Sequence, residues 1–187
     1  MTRVVAGTHG GRTLRTPPGT GTRPTSDRVR EALFSALDAR DAVRGARVLD
    51  LYGGSGALGL EALSRGAASA RWVESDRRAA ATITANLRAL GLTTGRVLPV
   101  TVSSALAADP GPDDAADLVL VDPPYHVGEE ALAAVLDRLA AGWAAHGALV
   151  VVERSTRSPE PTWPPGLERV GKPRRYGETT VWLAERP

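Results

Sequence analysis

Apolar runs without polar alternation recur along this chain and are separated by longer stretches with helical spacing. The run at 118–121 carries large apolar side chains at successive positions, which is typical of a parallel strand buried on both faces. Similar runs predict four further strands, at 47–51, 69–74, 96–102 and 147–152. The chain therefore contains the strands of one buried sheet.

Helical spacing of apolar residues fills the intervals around these strands. A helix beginning near residue 26 is predicted by an apolar face of Val29, Leu33, Phe34 and Leu37. Further helices are predicted at 57–65, 76–90 and 129–141. Strands that alternate with helices predict an α/β fold, with a mostly parallel sheet covered by helices on both faces.

The N-terminal end departs from this alternation. Short strand-like segments at 3–7 and 12–15 flank a turn at 8–11 and predict a hairpin. A loop punctuated by proline and glycine follows at 16–22. At the other end, two strand-like segments predict a closing antiparallel pair, at 167–172 and 179–184.

The length of 187 residues suits a single domain with a substantial core. We expect residues 1–40 to form an N-terminal extension made of a hairpin, a loop and a helix. Residues 41–187 are expected to form the body that carries the sheet.

The chain contains no cysteine, which excludes disulfides, thiolate metal sites and a cysteine nucleophile. Methylation at a pyrimidine ring carbon normally uses a covalent cysteine adduct, so that reaction is excluded too. His9, His126 and His146 have no metal-ligand spacing, and we expect no metal site. No apolar run approaches the ~20 residues that span a bilayer, and no signal peptide is apparent. We therefore expect a soluble cytoplasmic protein without a membrane partner.

The net charge of +2 is unevenly distributed. Residues 1–30 contain six arginines and one aspartate, so this part carries +5 and the remainder carries −3. A basic arm on a mildly acidic body indicates a polyanion partner, although a solvated helix face is the alternative. The candidate residues for binding a nucleic acid are Arg3, Arg12, Arg15, Arg23, Thr25, Arg28 and Arg30.

The strand at 118–121 ends in Asp122-Pro-Pro-Tyr125. Because prolines cannot continue a central strand, Asp122 and Tyr125 are held on a stiff turn at its carboxyl end. Ligands of open α/β sheets bind at this edge. A rigid acceptor beside a flat ring suits a planar substrate that carries an amino group. The alternative is structural: a stiff turn with a capping aspartate and a packing tyrosine.

Two further predicted strands end in carboxylates, Asp50 and Glu74, and a glycine-rich loop follows the first. Its glycines allow the backbone to turn tightly and to approach a ligand. Glu74 lies 20 residues beyond Gly54, where a carboxylate can bind two ribose hydroxyls. The expected cofactor-binding residues here are Asp50, Tyr52, Gly53, Gly54, Ser55, Gly56 and Glu74.

The segment 54–59 also matches the dinucleotide fingerprint G-x-G-x-x-G, which on its own favours NAD. Asp50 argues against NAD, because its charge would repel a pyrophosphate and attract the ammonium or sulfonium of S-adenosylmethionine. A dehydrogenase also has no need of the Asp122-Pro-Pro-Tyr125 turn. S-Adenosylmethionine is therefore the expected cofactor.

Taken together, these segments resemble the bacterial 16S rRNA (guanine-N2) methyltransferase family, of the small-subunit rRNA methyltransferase D type. The resemblance covers nearly the whole chain. The motif Arg-Pro-Thr-Ser-Asp-Arg-Val-Arg-Glu at 23–31 is its most specific part. The other parts are the opening at 3–12, the glycine loop at 50–62, Asp122-Pro-Pro-Tyr125 and Tyr176-Gly-Glu-Thr.

The resemblance implies a class I S-adenosylmethionine-dependent methyltransferase fold, which is Rossmann-like. Its sheet is expected to have seven mostly parallel strands, including a C-terminal antiparallel hairpin. The N-terminal extension is expected to help capture 16S rRNA or the assembling small ribosomal subunit. Many relatives hold the adenine amine with Asp or Asn, whereas this chain has Ser103 and Ser104 at that place, which accept more weakly.

The implied reaction is methyl transfer to the exocyclic N2 amine of a guanine. This amine is a poor nucleophile because its lone pair is delocalised into the ring. We expect Asp122 and a carbonyl of the Pro123–Pro124 turn each to accept one N–H and so orient the lone pair. Tyr125 is expected to stack on the extruded base. We expect a monomer.

Three alternatives remain, two of them other methyltransferases and one a binding protein without catalytic activity. A DNA adenine-N6 methyltransferase has a similar turn, but usually carries a sizeable target-recognition region, and no segment here is long enough. A protein glutamine methyltransferase more often has Asn at the position of Asp122. A non-catalytic RNA-binding assembly factor would not need Asp50, Glu74 and Asp122 together.

Overall fold

The computed structural model describes residues 2–17 and 26–187. At the N-terminus, β1 (Thr2–Arg3) pairs antiparallel with β2 (Thr13–Leu14), and a turn of 3-10 helix at Gly7–His9 lies between them. The predicted hairpin is confirmed, but each paired segment is only two residues long.

Beyond the hairpin, helices and strands alternate until the chain closes with three strands. In chain order the elements are α1 (Asp27–Asp38), β3 (Arg47–Leu51), α2 (Ala57–Ser64), β4 (Ser69–Val73), α3 (Arg77–Leu90), β5 (Gly95–Leu98), α4 (Val102–Ala105), β6 (Ala116–Val121), α5 (Glu129–Arg138), β7 (Ala144–Ser155), β8 (Glu168–Arg169), β9 (Arg174–Tyr176) and β10 (Thr179–Glu185). The predicted α/β alternation is confirmed.

The ends of α1 and α3 are capped by residue types that commonly cap helices. The hydroxyl of Ser26 accepts from the N–H of Val29 (3.3 Å) and caps α1. The carboxylate of Asp76 accepts from the backbone N–H of Ala79 (2.8 Å) and caps α3. Gly91 ends α3 in the left-handed conformation, at φ 67°.

The main sheet has the strand order β5-β4-β3-β6-β7-β10, and β8 and β9 pair with the outer edge of β10. Neighbouring strands from β5 to β7 are parallel, and β10 is antiparallel to β7. Within the described residues the sheet has eight strands, so the expected count of seven is corrected. The count differs because Gly171 and Pro173 divide the last sheet position into two short strands.

The register brings the ends of β3, β4 and β6 to one level, beside Val152 of the longer strand β7. Leu51 lies opposite Val73 of β4 and Val121 of β6, and Val121 lies opposite Val152 of β7. Each of these residues is nearly or completely buried. Hydrophobic clusters cover both faces of the sheet, so the polar residues that follow this level lie at its carboxyl edge.

Several element boundaries differ from the prediction. The strand expected at 96–102 ends at Leu98, and Val102 begins the short helix α4, whose first turn Thr101 caps. The helix α5 ends at Arg138 and continues as a wider helical turn at Leu139–Trp143. Gly142 there has a φ of 153°, which favours glycine.

The N-terminal extension is joined to the body by a buried carboxylate, Glu61 of α2. Its oxygens accept from the backbone N–H groups of Val5 (2.7 Å) and Ala6 (3.0 Å). They also accept from Arg65 (2.7 Å) and lie 3.6 Å from Nε of Arg30. Apolar residues of the extension belong to the same cluster as one sheet face. The boundary at residue 40 remains a prediction.

Candidate active site

A single cleft of about 1200 Å³ opens at the carboxyl edge of the sheet. Asp50, Glu74 and Asp122 all line it, each from the end of a different parallel strand. The predicted convergence of these three strand ends is confirmed. Three further carboxylates, of Asp76, Glu153 and Glu178, also border the cleft and make its lining acidic.

Glu74 is held by two backbone hydrogen bonds. Its Oε2 accepts from the N–H of Gly54 (2.8 Å), and its Oε1 accepts from the N–H of Asp76 (2.7 Å). A carboxylate has about four lone-pair sites, so each oxygen can still accept a ribose hydroxyl. The same contact occupies the glycine-loop N–H that a dinucleotide pyrophosphate would need, which argues further against NAD.

Asp50 lies deeper, with 2% of its surface exposed. Its Oδ2 accepts from the backbone N–H of Gly59 in the first turn of α2, at 2.9 Å. Burial raises the pKa of the Asp50 carboxyl well above its ordinary value, the hydrogen bond from Gly59 opposes that rise, and the charges of Asp122 and Glu74 add to it. A cationic group of a ligand in this acidic cleft would favour the ionised form.

The loop after β3 has a backbone that suits close contact with a ligand. Tyr52, at φ 62°, and Gly54, at φ 54°, are both left-handed, and Gly53, Gly54 and Ser55 line the cleft. Gly56 does not belong to the lining. A Cβ there would lie 3.0 Å from the side chain of Ile83, so Gly56 serves packing instead.

The part of the cleft where the adenine amine was expected differs from the prediction because residues 102–105 are helical. Thr101, Val102 and Ser103 line the cleft, whereas Ser104 does not. The hydroxyl of Ser103 lies 3.2 Å from that of Thr101, and both residues are exposed. Ser103 therefore remains a candidate for the adenine amine, and Thr101 joins it.

The Asp122-Pro-Pro-Tyr125 turn follows β6, the strand next to the one that the glycine loop follows. All four of its residues line the cleft, and the ring of Tyr125 is 76% exposed. The N–H of Val127 donates to the carbonyl of Pro124 (2.9 Å) and closes the turn. Arg154 of β7 donates to the carbonyl of Val127 (3.1 Å) and pairs with Glu129, so the far end of the turn is anchored to the sheet.

Comparison with known proteins indicates the same family as the sequence motifs do. The family described as Conserved hypothetical protein 95 matches residues 2–185. The Ribosomal RNA small subunit methyltransferase D of Escherichia coli is 41% identical over 164 residues, which is 87% of this chain and 79% of that protein. The protein of the same name from Haemophilus influenzae is 33% identical over 84% of this chain and 80% of its own length.

This chain belongs to the ribosomal RNA small subunit methyltransferase D family.

Solved structures agree with this membership. The Escherichia coli protein yhhF superposes with a TM-score of 0.85 at 37% identity, over 99% of this chain and 97% of that one. A Thermus thermophilus 16S rRNA N2 methyltransferase, solved with AdoMet and guanosine, has a TM-score of 0.65 at 24% identity and shares the fold. It is aligned over 91% of this chain and 45% of that one. The expected class I methyltransferase fold is confirmed.

Most of the basic residues that the family resemblance assigned to RNA are available for binding. Arg3, Arg12, Arg15 and Arg28 are exposed, and Arg28 also lines the cleft. Arg23 and Thr25 lie outside the described residues. The role of the exposed arginines in RNA binding stays a prediction.

Arg30 is an exception, and the expectation that it faces phosphate is wrong. Its surface is 0% exposed, and its guanidinium donates to Asp27 (2.8 Å) and to the backbone carbonyl of Arg3. The spacing could have revealed this, because residues 30, 33, 34 and 37 follow the period of one helix face.

Sequence reasoning missed another carboxylate that lines the cleft. Glu153 lies within β7 directly after its buried run, is 2% exposed and lines the cleft. The signal was present, because the predicted strand at 147–152 is followed directly by an acidic residue, as the run at 118–121 is. Tyr176 and Thr179, from the closing strands, complete the same side of the cleft.

The described residues, 2–17 and 26–187, contain no candidate metal cluster and no candidate membrane span. No group of three or more His, Cys, Asp or Glu residues there is placed to hold a metal ion. No helix in those ranges is long and apolar enough to cross a bilayer.

Proposed function

We propose that this protein transfers a methyl group from S-adenosylmethionine to the exocyclic N2 amine of a guanine in 16S rRNA. At the coarser level, the protein is an S-adenosylmethionine-dependent rRNA methyltransferase, in keeping with its family. The substrate would be 16S rRNA or the assembling small ribosomal subunit. The reaction would take place in the cytoplasm.

The observation that carries the proposal is the shared cleft. Asp122 stands at the end of β6, on the strand next to Asp50 and one strand further from Glu74. The carboxylates at 50 and 74 suit a cofactor with a cationic amino-acid end and a ribose. Asp122 and Tyr125 therefore face the place where a methyl donor would lie.

The residues fit the cofactor by their chemistry. Bound S-adenosylmethionine supplies an electrophilic methyl group. Glu74 would accept from the ribose hydroxyls, and Asp50 would face the ammonium group across the glycine loop. Ser103 and Thr101 offer hydroxyl acceptors for the adenine amine.

The turn would act on the nucleophile. Asp122 and a carbonyl of the Pro123–Pro124 turn would each accept one N–H of the amine, which orients the nitrogen lone pair into the cleft. Tyr125 would stack on the base, and its exposed ring is free of the core for this purpose. The prolines limit the motion of the acceptor because their φ angles are restrained.

The mouth of the cleft would receive RNA. Thr16, Pro17 and Ser26 of the extension border the cleft together with Arg28. The exposed arginines of the extension would contact phosphates without reading sequence, which gives salt-sensitive affinity. The extension would thus present the RNA backbone at the entrance while one base enters.

The test is a methyl-transfer assay with tritiated S-adenosylmethionine. The acceptors are 16S rRNA and small subunits from a strain that lacks this gene, and the product is identified by nucleoside mass spectrometry. We expect one N2-methylguanosine. Methylation of adenine, or label incorporated into protein, would contradict the proposal.

Asp122→Ala tests the acceptor directly. Turnover is expected to fall by about 100-fold or more because the amine loses its orienting partner, while cofactor affinity stays within about twofold. Turnover above a few per cent of wild type would remove Asp122 from the reaction.

A further inference from the structure

Glu153 stands beside Asp122 on the neighbouring strand. Val121 of β6 is paired with Val152 of β7, and each carboxylate is the next residue along its strand. Adjacent strands lie roughly 4.8 Å apart, so the two side chains start close together. The alternation places both on the same sheet face, because Leu120 and Val151 precede them by two residues and belong to one cluster.

The surroundings of Glu153 would suit an apolar residue. It follows the apolar run 148–152, of which every member is buried, and its own surface is 2% exposed. A carboxylate in such a place is costly to bury. Arg154, the next residue, uses its guanidinium for Glu129 and Val127 on the turn that carries Tyr125. Glu153 nevertheless lines the cleft.

Guanine differs from the other amino bases at N1, one of the two ring nitrogens bonded to the carbon that carries the amine. It presents a donor there, N1–H, whereas adenine and cytosine present a ring nitrogen that accepts. If Asp122 and the proline turn take the two hydrogens of N2, the N1–H still needs an acceptor. A buried carboxylate beside Asp122 would accept from guanine and repel the lone pair of the other bases.

We propose that Glu153 selects guanine by accepting the N1–H of the target base while Asp122 holds its N2 amine. The inference rests on the proposed function, since it assigns a base-recognition residue to the same reaction. Glu153 is then a specificity residue, and its acceptor oxygen would touch the substrate.

The experiment compares two acceptors at the methylated position of an rRNA fragment: guanine, and 2-aminopurine. 2-Aminopurine keeps the amine at C2, but its N1 carries no hydrogen and accepts. Wild type should prefer guanine in kcat/KM. In Glu153→Gln the amide can donate to N1 of 2-aminopurine, so the preference should fall by about tenfold or more.

Glu178→Gln is the matched control, because it removes one carboxylate from the exposed rim of the same cleft. It should leave the ratio of the two kcat/KM values unchanged. Cofactor affinity, measured by calorimetry, should be the same in all three proteins. A merely structural role of Glu153 would lower both rates together and leave the ratio as in wild type, which would overturn the inference.

A second variant keeps the test decisive if Glu153→Gln does not fold. Glu153→Asp retains the charge but withdraws the carboxylate by one methylene, and the ratio should fall by about threefold or more. An unchanged ratio in that variant also overturns the inference. Failure of the proposed function would give a different result. In that case the wild-type protein would form no N2-methylguanosine from the guanine fragment.

Discussion

The backbone N–H of Gly59 donates to the buried carboxylate of Asp50 at 2.9 Å and ties the end of β3 to the first turn of α2. This N–H is one of the donors that a helix leaves without an intrahelical acceptor. The contact favours the ionised carboxylate. Burial and the neighbouring charges of Asp122 and Glu74 favour the protonated carboxyl. Their effect is larger than that of the hydrogen bond, so the pKa of Asp50 lies above its ordinary value.

The first prediction concerns pH. Because the folded pKa of Asp50 is raised above 3.8, the folded protein binds one more proton than the unfolded chain between these two values. Its contribution to the free energy of unfolding is therefore largest below pH 3.8 and is lost as pH rises through the folded pKa. Asp50→Asn cannot titrate and should lack this loss.

The measurement is urea denaturation of wild type and of Asp50→Asn at several pH values, from below 3.8 upward. The free energy of unfolding of wild type minus that of Asp50→Asn should decrease as pH rises. The subtraction removes the opposite contributions of Asp114 and Asp117, whose pKa values are lowered by their hydrogen bonds. A pH-independent difference would show that Asp50 does not titrate in this way.

The second prediction concerns the third glycine of the fingerprint. A Cβ on Gly59 would meet the ring of the fully buried Trp72 at 2.6 Å. Gly59→Ala should therefore destabilise the protein by about 1–3 kcal/mol through overpacking. Gly128→Ala is the control, because nothing lies within 4 Å of a Cβ there and its change should be within about 0.5 kcal/mol. Equal free energies of unfolding for the two variants would contradict the argument.

The third prediction separates two neighbouring arginines. Arg30→Met removes the buried partner of Asp27 and Glu61 and should cost about 3–5 kcal/mol of stability. Arg28→Ala, on the exposed side of the same helix, should leave stability unchanged and weaken RNA binding, lowering the salt slope by about 1. Denaturation and filter binding at several salt concentrations measure the two effects. If Arg28→Ala destabilised and Arg30→Met did not, the burial assignment would fail.

The fourth prediction concerns Tyr125, whose ring is exposed in the cleft. Tyr125→Phe should retain most activity, because stacking needs only the ring. Tyr125→Ala should weaken base binding by about 1–3 kcal/mol and lower turnover. Single-turnover methyl transfer measures both. An inactive Phe variant would assign a role to the hydroxyl instead, and neither variant should change the free energy of unfolding.

Much of the fold could be predicted because it depends on local patterns. Runs of apolar residues at 47–51 and 118–121 became buried parallel strands, and the caps at Ser26 and Asp76 lie where their side chains indicated. The strand predicted to reach 102 was too long, because the hydroxyl of Thr101 begins a helix.

The candidate site was predicted in part for the same reason. Carboxylates at the carboxyl ends of parallel strands meet at one edge, so Asp50, Glu74 and Asp122 could be grouped from sequence. Whether a given side chain faces the cleft depends on neighbours that are distant in the chain. Ser104 is outside the lining although Ser103 is inside it, and that difference follows from the packing of α4.

The sequence by itself determined the order of strands and helices, the glycine loop and the acidic strand ends, since spacing and residue type act over a few positions. Only the tertiary structure decided that the partners of buried Arg30 include Glu61 and that Glu153 stands next to Asp122. The order of strands in the sheet and the packing of helices set these relationships through contacts between distant segments. The residue type of a charged side chain does not show whether it faces solvent, another charge or a substrate.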